Sequence, residues 1–86
     1  MHYEYKTKGT CSSRILFDIE DGKLKNVTYI GGCNGNLQGI GRLVEGMPVD
    51  EVIARLRGIR CGYKPTSCPD QLAAALELAK QESANA

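Results

Sequence analysis

The sequence has no tryptophan, one phenylalanine, one histidine and three prolines in 86 residues. A single histidine, His2, at the start of the chain cannot build a Ser/His/Asp set beside a nucleophile. No apolar run approaches the roughly 18 residues a membrane span needs. Neither charge sign dominates. Lys+Arg number 11 against Asp+Glu 10, for a net charge of +1. That balance excludes a strongly basic surface for nucleic acid or an anionic membrane. The first residues, Met1-His2-Tyr3-Glu4-Tyr5-Lys6, lack the apolar stretch of a secretory signal, so a cytoplasmic location is expected. A catalytic barrel or dinucleotide-binding domain does not fit this length. What the sequence does have is four cysteines, at 11, 33, 61 and 68, and ten glycines. A cytosolic chain keeps its thiols reduced, which disfavours a disulfide framework and leaves metal ligation, thiol chemistry or burial.

The chain reads as one domain over residues 1–82, with a frayed tail at 83–86. Tyr3, Tyr5 and Thr7 alternate with Glu4, Lys6 and Lys8. After Gly9-Thr10, Ser13, Ile15, Phe17 and Ile19 alternate with Ser12, Arg14, Asp18 and Glu20, with Leu16 out of pattern. This period of two predicts half-buried strands, and Asp21-Gly22 predicts a hairpin turn. A third strand follows, with Val27 and Tyr29 on one face and Thr28 on the other. Helical spacing then takes over. Asn36 caps a segment bearing Leu37, Ile40 and Val44, closed by Gly46, with Gly39 and Gly41 as unfavourable helix residues. Pro48 opens Val49, Val52, Ile53 and Leu56, closed by Gly58, and Pro69 opens Leu72, Ala75, Leu76 and Ala79. The expected fold is α+β: a three-stranded antiparallel sheet followed by three short helices packed on one face.

That layout pairs the cysteines. A two-residue turn sets Glu20 opposite Lys23 and Cys11 opposite Gly32. A bulged turn sets Ile19 opposite Lys23 and Cys11 opposite Gly31. The bulged register is preferred because it places Ile15 against Val27. In either register Cys11 and Cys33 meet at the open end of the hairpin. Cys61 and Cys68 flank the loop before the last helix. With Pro69 at the first helical position Cys68 becomes the N-cap, where orphan amides favour thiolate. The alternative is that Ser67 or Thr66 caps and Cys68 packs. Four converging thiolates would suit zinc, although the spacers are longer than in usual structural zinc sites. His2 is weighed as a ligand and set aside as a solvated terminal residue.

Other features stay open between function and geometry. Gly31-Gly32-Cys33-Asn34-Gly35-Asn36 links a strand to a helix. The candidate cofactor-binding residues Gly31, Gly32, Asn34, Gly35 and Asn36 could form an anion nest for a nucleotide or flavin phosphate. They lack the Lys-Ser/Thr ending of a P-loop and the G-x-G-x-x-G spacing of a dinucleotide fingerprint, and a tight turn alone also explains them. Arg55, Arg57, Arg60 and Lys64 form a short basic run that reads as a solvated face. Asp70 suits the N-terminal end of a helix dipole.

The segment from Cys61 to Ala73, with Thr66-Ser67-Cys68-Pro69-Asp70 at its centre, resembles the TSCPD family, named for those five residues. Gly9-Thr10-Cys11-Ser12, the 31–36 segment and Gly58-Ile59-Arg60-Cys61-Gly62 resemble its other blocks, so the resemblance covers about residues 2–80. The family occurs toward the C-terminus of adenosylcobalamin-dependent ribonucleotide reductases and as short stand-alone proteins, and this chain is similar to the stand-alone form. The resemblance implies metal binding by Cys11, Cys33, Cys61 and Cys68. It also implies a link to ribonucleotide reduction, DNA precursor supply and the reductase machinery as partner. It does not imply reductase activity, which 86 residues cannot enclose. The expected function is a four-cysteine module holding zinc, or else iron. The alternatives are a nucleotide or flavin pocket formed by the 31–36 and 61–68 loops, at a homodimer interface in one version, and a thiol-redox protein using Cys68.

Overall fold

Asp21 and Gly22 both take positive φ, 53° and 75°, which is the two-residue turn that matches strand twist. The structure, a computed structural model, describes residues 1–10, 12–32, 34–60 and 62–84. The turn joins β2 (Ser12–Glu20) to β3 (Lys23–Gly31), and β1 (His2–Lys6) lies on the other side of β2. Both pairs are antiparallel. Glu20 faces Lys23, so the bulged-turn register is not adopted, and Ile15 faces Tyr29 instead of Val27. A bulge does occur, but inside β3. Phe17 faces both Asn26 and Val27, and Asn26 has φ 55°. Asparagine tolerates that left-handed conformation better than most residues.

A second register shift lies between Ser12 and Arg14, where Ser13 is the extra residue. It reverses the alternation at the start of β2. Ser12 is buried and Ser13 exposed, opposite to the expected faces. A one-residue slip moves a side chain across the sheet, and this slip turns Ser12 inward.

Three helices follow: α1 (Asn34–Val44), α2 (Val49–Leu56) and α3 (Cys68–Ala84). The α+β order is as expected. In detail, α1 starts at Asn34, so Asn36 lies within its first turn and is not its cap. Gly41 has a packing reason: a Cβ there would sit 3.0 Å from the Val27 carbonyl oxygen, so α1 can approach β3 this closely only with glycine. Pro48 occupies the N-cap of α2 and Arg57 its C-cap, with Gly58 following at φ 85°. With 17 residues, α3 is not short, and it runs past 82 to Ala84.

The inner sheet face supplies Ile15, Phe17 and Leu24, which pack with Val44, Val49, Val52, Leu72 and Leu76 in one core. Tyr3 stacks on Phe17 at 5.5 Å between ring centres. His2, Glu4, Lys6, Arg14 and Thr28 are exposed on the opposite face, where Arg14 bonds Glu4 at 2.9 Å. The helices therefore cover one face. Among the described residues, no helix is long and apolar enough to cross a membrane.

Candidate functional site

The open end of the hairpin meets the start of α3. Ser12 Oγ, turned inward by the Ser13 bulge, lies 3.3 Å from Cys68 Sγ. The Tyr29 hydroxyl donates to the Cys68 carbonyl at 3.0 Å. Burial pushes the Tyr29 phenol well above its ordinary value of 10.0, and the nearby Cys68 sulfur adds to the shift. The Ser12 carbonyl accepts from Thr7 Oγ1 at 2.5 Å and from Thr10 Oγ1 at 3.3 Å. Hydroxyls thus fix the strand entry beside the sulfur.

Cys68 is 8% exposed and is the first residue of α3, not its cap. The cap is Ser67. Its Oγ accepts the Asp70 N–H at 3.2 Å and donates to the Ile59 carbonyl at 2.5 Å. Its own carbonyl accepts the Gln71 N–H at 2.8 Å. The Asp70 carboxylate accepts Thr66 Oγ1–H at 2.5 Å and the Gly58 N–H at 2.7 Å. These two bonds, then the nearby Arg57 and Arg60 cations, hold the Asp70 carboxyl below its ordinary 3.8. Gln71 extends the knot, donating to Thr66 and accepting the Lys8 N–H. Each residue of Thr66-Ser67-Cys68-Pro69-Asp70 has a place here, with Pro69 in the first turn, where a missing N–H costs little.

Beside this knot lies a cleft of about 250 Å³, bordered by Gly9, Thr10, Asn36, Leu37, Ile40, Lys64, Thr66, Ser67, Cys68 and Pro69. Of the five candidate anion-binding residues, Asn36 borders it. Gly31 and Gly32, at φ 78° and 81°, turn the chain out of β3, a left-handed pair that suits glycine. Gly31 borders a separate hollow with Tyr29 and Gln38. Asn34, Gly35 and Asn36 form the opening turn of α1.

Cys11, Cys33 and Cys61 lie outside the described residues, as does their expected convergence with Cys68. Among the described residues, no group of three or more His, Cys, Asp or Glu side chains could hold a metal ion. His2 bonds Asp18 Oδ1 at 2.7 Å. Asp18 is six residues along β2 from Ser12, or about 20 Å at strand rise, so His2 lies away from Cys68. Of the basic run, Arg55 pairs with Glu51 and Arg57 with Glu77, a solvated role.

The site residues that spacing did not single out are Ser12, Tyr29 and Gln71. Ser67 entered as the alternative cap, which is the arrangement found, and Ser67-Cys68-Pro69-Asp70 fits the capping-box spacing. No curated protein and no solved structure matches the chain. The family model described as TSCPD domain matches residues 2–80 of 86, and the chain belongs to that family.

Proposed function

We infer that the chain is a metal-binding module in which Cys11, Cys33, Cys61 and Cys68 supply four thiolates to zinc. Its role is structural, accessory to ribonucleotide reduction. One observation carries the reading: the sequence neighbours of the other three cysteines gather at Cys68. Ser12, next to Cys11, touches the Cys68 sulfur. Gly31, two residues before Cys33, is the ladder partner of Ser12. Ile59, two residues before Cys61, accepts the hydroxyl of Ser67. Soft thiolates suit zinc, which when bound would cross-link three loops of a small core and add its binding energy to folding. The hydroxyls of Ser12 and Tyr29 would then orient the Cys68 end of the site, as outer partners do.

The test is native mass spectrometry of freshly purified protein before and after a chelator. The expected result is about one zinc per chain, with chelation or Cys68→Ser lowering the melting temperature. A folded, metal-free protein whose melting ignores both chelator and zinc rejects the reading. The link to ribonucleotide reduction is tested by binding to an adenosylcobalamin-dependent reductase, and no association at any metal loading removes it.

A second reading is favoured by the cleft, whose border combines apolar Leu37, Ile40 and Pro69 with Lys64 and Asn36. A nucleotide or flavin phosphate would face Lys64 and Asn36. Denatured protein would then release a small molecule of that class, and a preparation releasing none excludes it.

A further inference from the structure

The two edges of the sheet are treated differently. Along the β3 edge, Leu24 donates its N–H to Met47 and accepts the Gly46 N–H, and the Asn26 N–H goes to the Glu45 carboxylate. The chain between α1 and α2 therefore covers that edge at Leu24 and Asn26. Among the described residues, the β1 edge has no such cover. Met1 and Ile19 exchange both backbone hydrogen bonds, and the Thr7 N–H donates to Ser13. With a strand period of two, the odd residues of β1 point their amides and carbonyls at β2. The amides and carbonyls of His2, Glu4 and Lys6 then point outward. Among the described residues, nothing pairs with them. The next amide on that side, Lys8, is taken by Gln71, which ends the open stretch.

We propose that β1 pairs with β1 of a second copy of this chain, making a continuous six-stranded antiparallel sheet across a two-fold axis at Tyr5. This does not depend on the metal reading. Charge selects the partner and the register. A two-fold at Tyr5 sets Glu4 opposite Lys6 of the other copy, and Lys6 opposite its Glu4. Both are outward-pointing residues, so each pair can exchange both backbone bonds. A two-fold at Glu4 or at Lys6 would instead set like charges directly opposite, which is unfavourable. Below the sheet, Tyr5 is half-buried and Leu78 of α3 is 46% exposed beside it. A second copy would continue this apolar floor. The strand carries no proline and no bulge, two devices that commonly protect an open edge.

Sedimentation of the full chain over a concentration series tests the proposal, with circular dichroism to confirm folding. The expected result is a mass rising from 9.3 kDa toward twice that value. Glu4→Lys alone, and Lys6→Glu alone, should each weaken association about tenfold by turning attraction into repulsion at both pairs. The double variant Glu4→Lys/Lys6→Glu exchanges the charges and should restore the dimer. A monomer at every concentration overturns the proposal. So does a dimer indifferent to both single changes, or a double variant no better than the singles.

Discussion

Tyr29 ties the sheet to the start of α3 through one hydroxyl, donated to the carbonyl of Cys68. Removing it with Tyr29→Phe should cost about 1 kcal/mol, as for a single buried hydrogen bond, read as a shift in the urea midpoint. The phenol's raised pKa also gives a sign for alkali. The folded protein holds this group neutral above its ordinary value of 10.0, the unfolded chain does not. Its contribution is complete below pH 10 and is lost as pH rises toward the folded value. Wild type should lose stability above pH 10 more steeply than Tyr29→Phe. Of the four tyrosines, one should ionise only as the protein unfolds, followed by absorbance at 295 nm. Equal slopes for the two proteins would refute this. The inward face of Tyr29 was legible from its alternation with Thr28. Its partner was not, because no periodic signal connects residues 39 apart. Ser12 was misread for a related reason: alternation assumes an unbroken ladder, and Ser13 breaks it.

The same contrast holds for the elements. Alternation, the Asp21-Gly22 turn and helical spacing gave the three strands and three helices in order. The register went wrong because a bulge was expected in the turn, whereas it sits at Asn26, where no residue-type signal was read. At α3, Pro69 drew the boundary one residue late, because proline is tolerated throughout a helix's first turn. The capping spacing from Ser67 to Asp70 marks the observed start. Ser67→Ala should cost about 1 kcal/mol, the usual value of a lost N-cap, measured by thermal or urea unfolding. Asp70 contributes differently, since its carboxylate binds Thr66 and the Gly58 amide, joining the end of α2 to α3. Its folded pKa is depressed, so this contribution is present above about pH 3.8 and fades as pH falls through the folded value. Asp70→Asn should flatten the fall in stability below about pH 4, by urea midpoints at each pH. A profile as steep as wild type would assign acid sensitivity to other carboxylates.

For the whole molecule, the governing fact is size. At roughly 0.05–0.15 kcal/mol per residue, 86 residues hold about 4–13 kcal/mol. Leu72 is fully buried between α3 and the sheet. Leu72→Ala should cost about 3–5 kcal/mol, a loss comparable with the lower end of that range. The one core is far from the loops only in sequence. The first turn of α3 carries Cys68 and Asp70, and the next turn places Leu72 in the core. Anything that fixes the loops therefore acts on the same cooperative unit. If zinc binds the folded chain and not the unfolded one, it adds stability that grows with the logarithm of its free concentration. Leu72→Ala should then unfold early in chelator and regain a cooperative, later urea transition when zinc is added. The wild type should shift in the same direction. Identical midpoints with chelator and with zinc, in both proteins, would mean that the loop end is held by its hydrogen bonds alone. In that case the four cysteines would need a role other than holding the fold together.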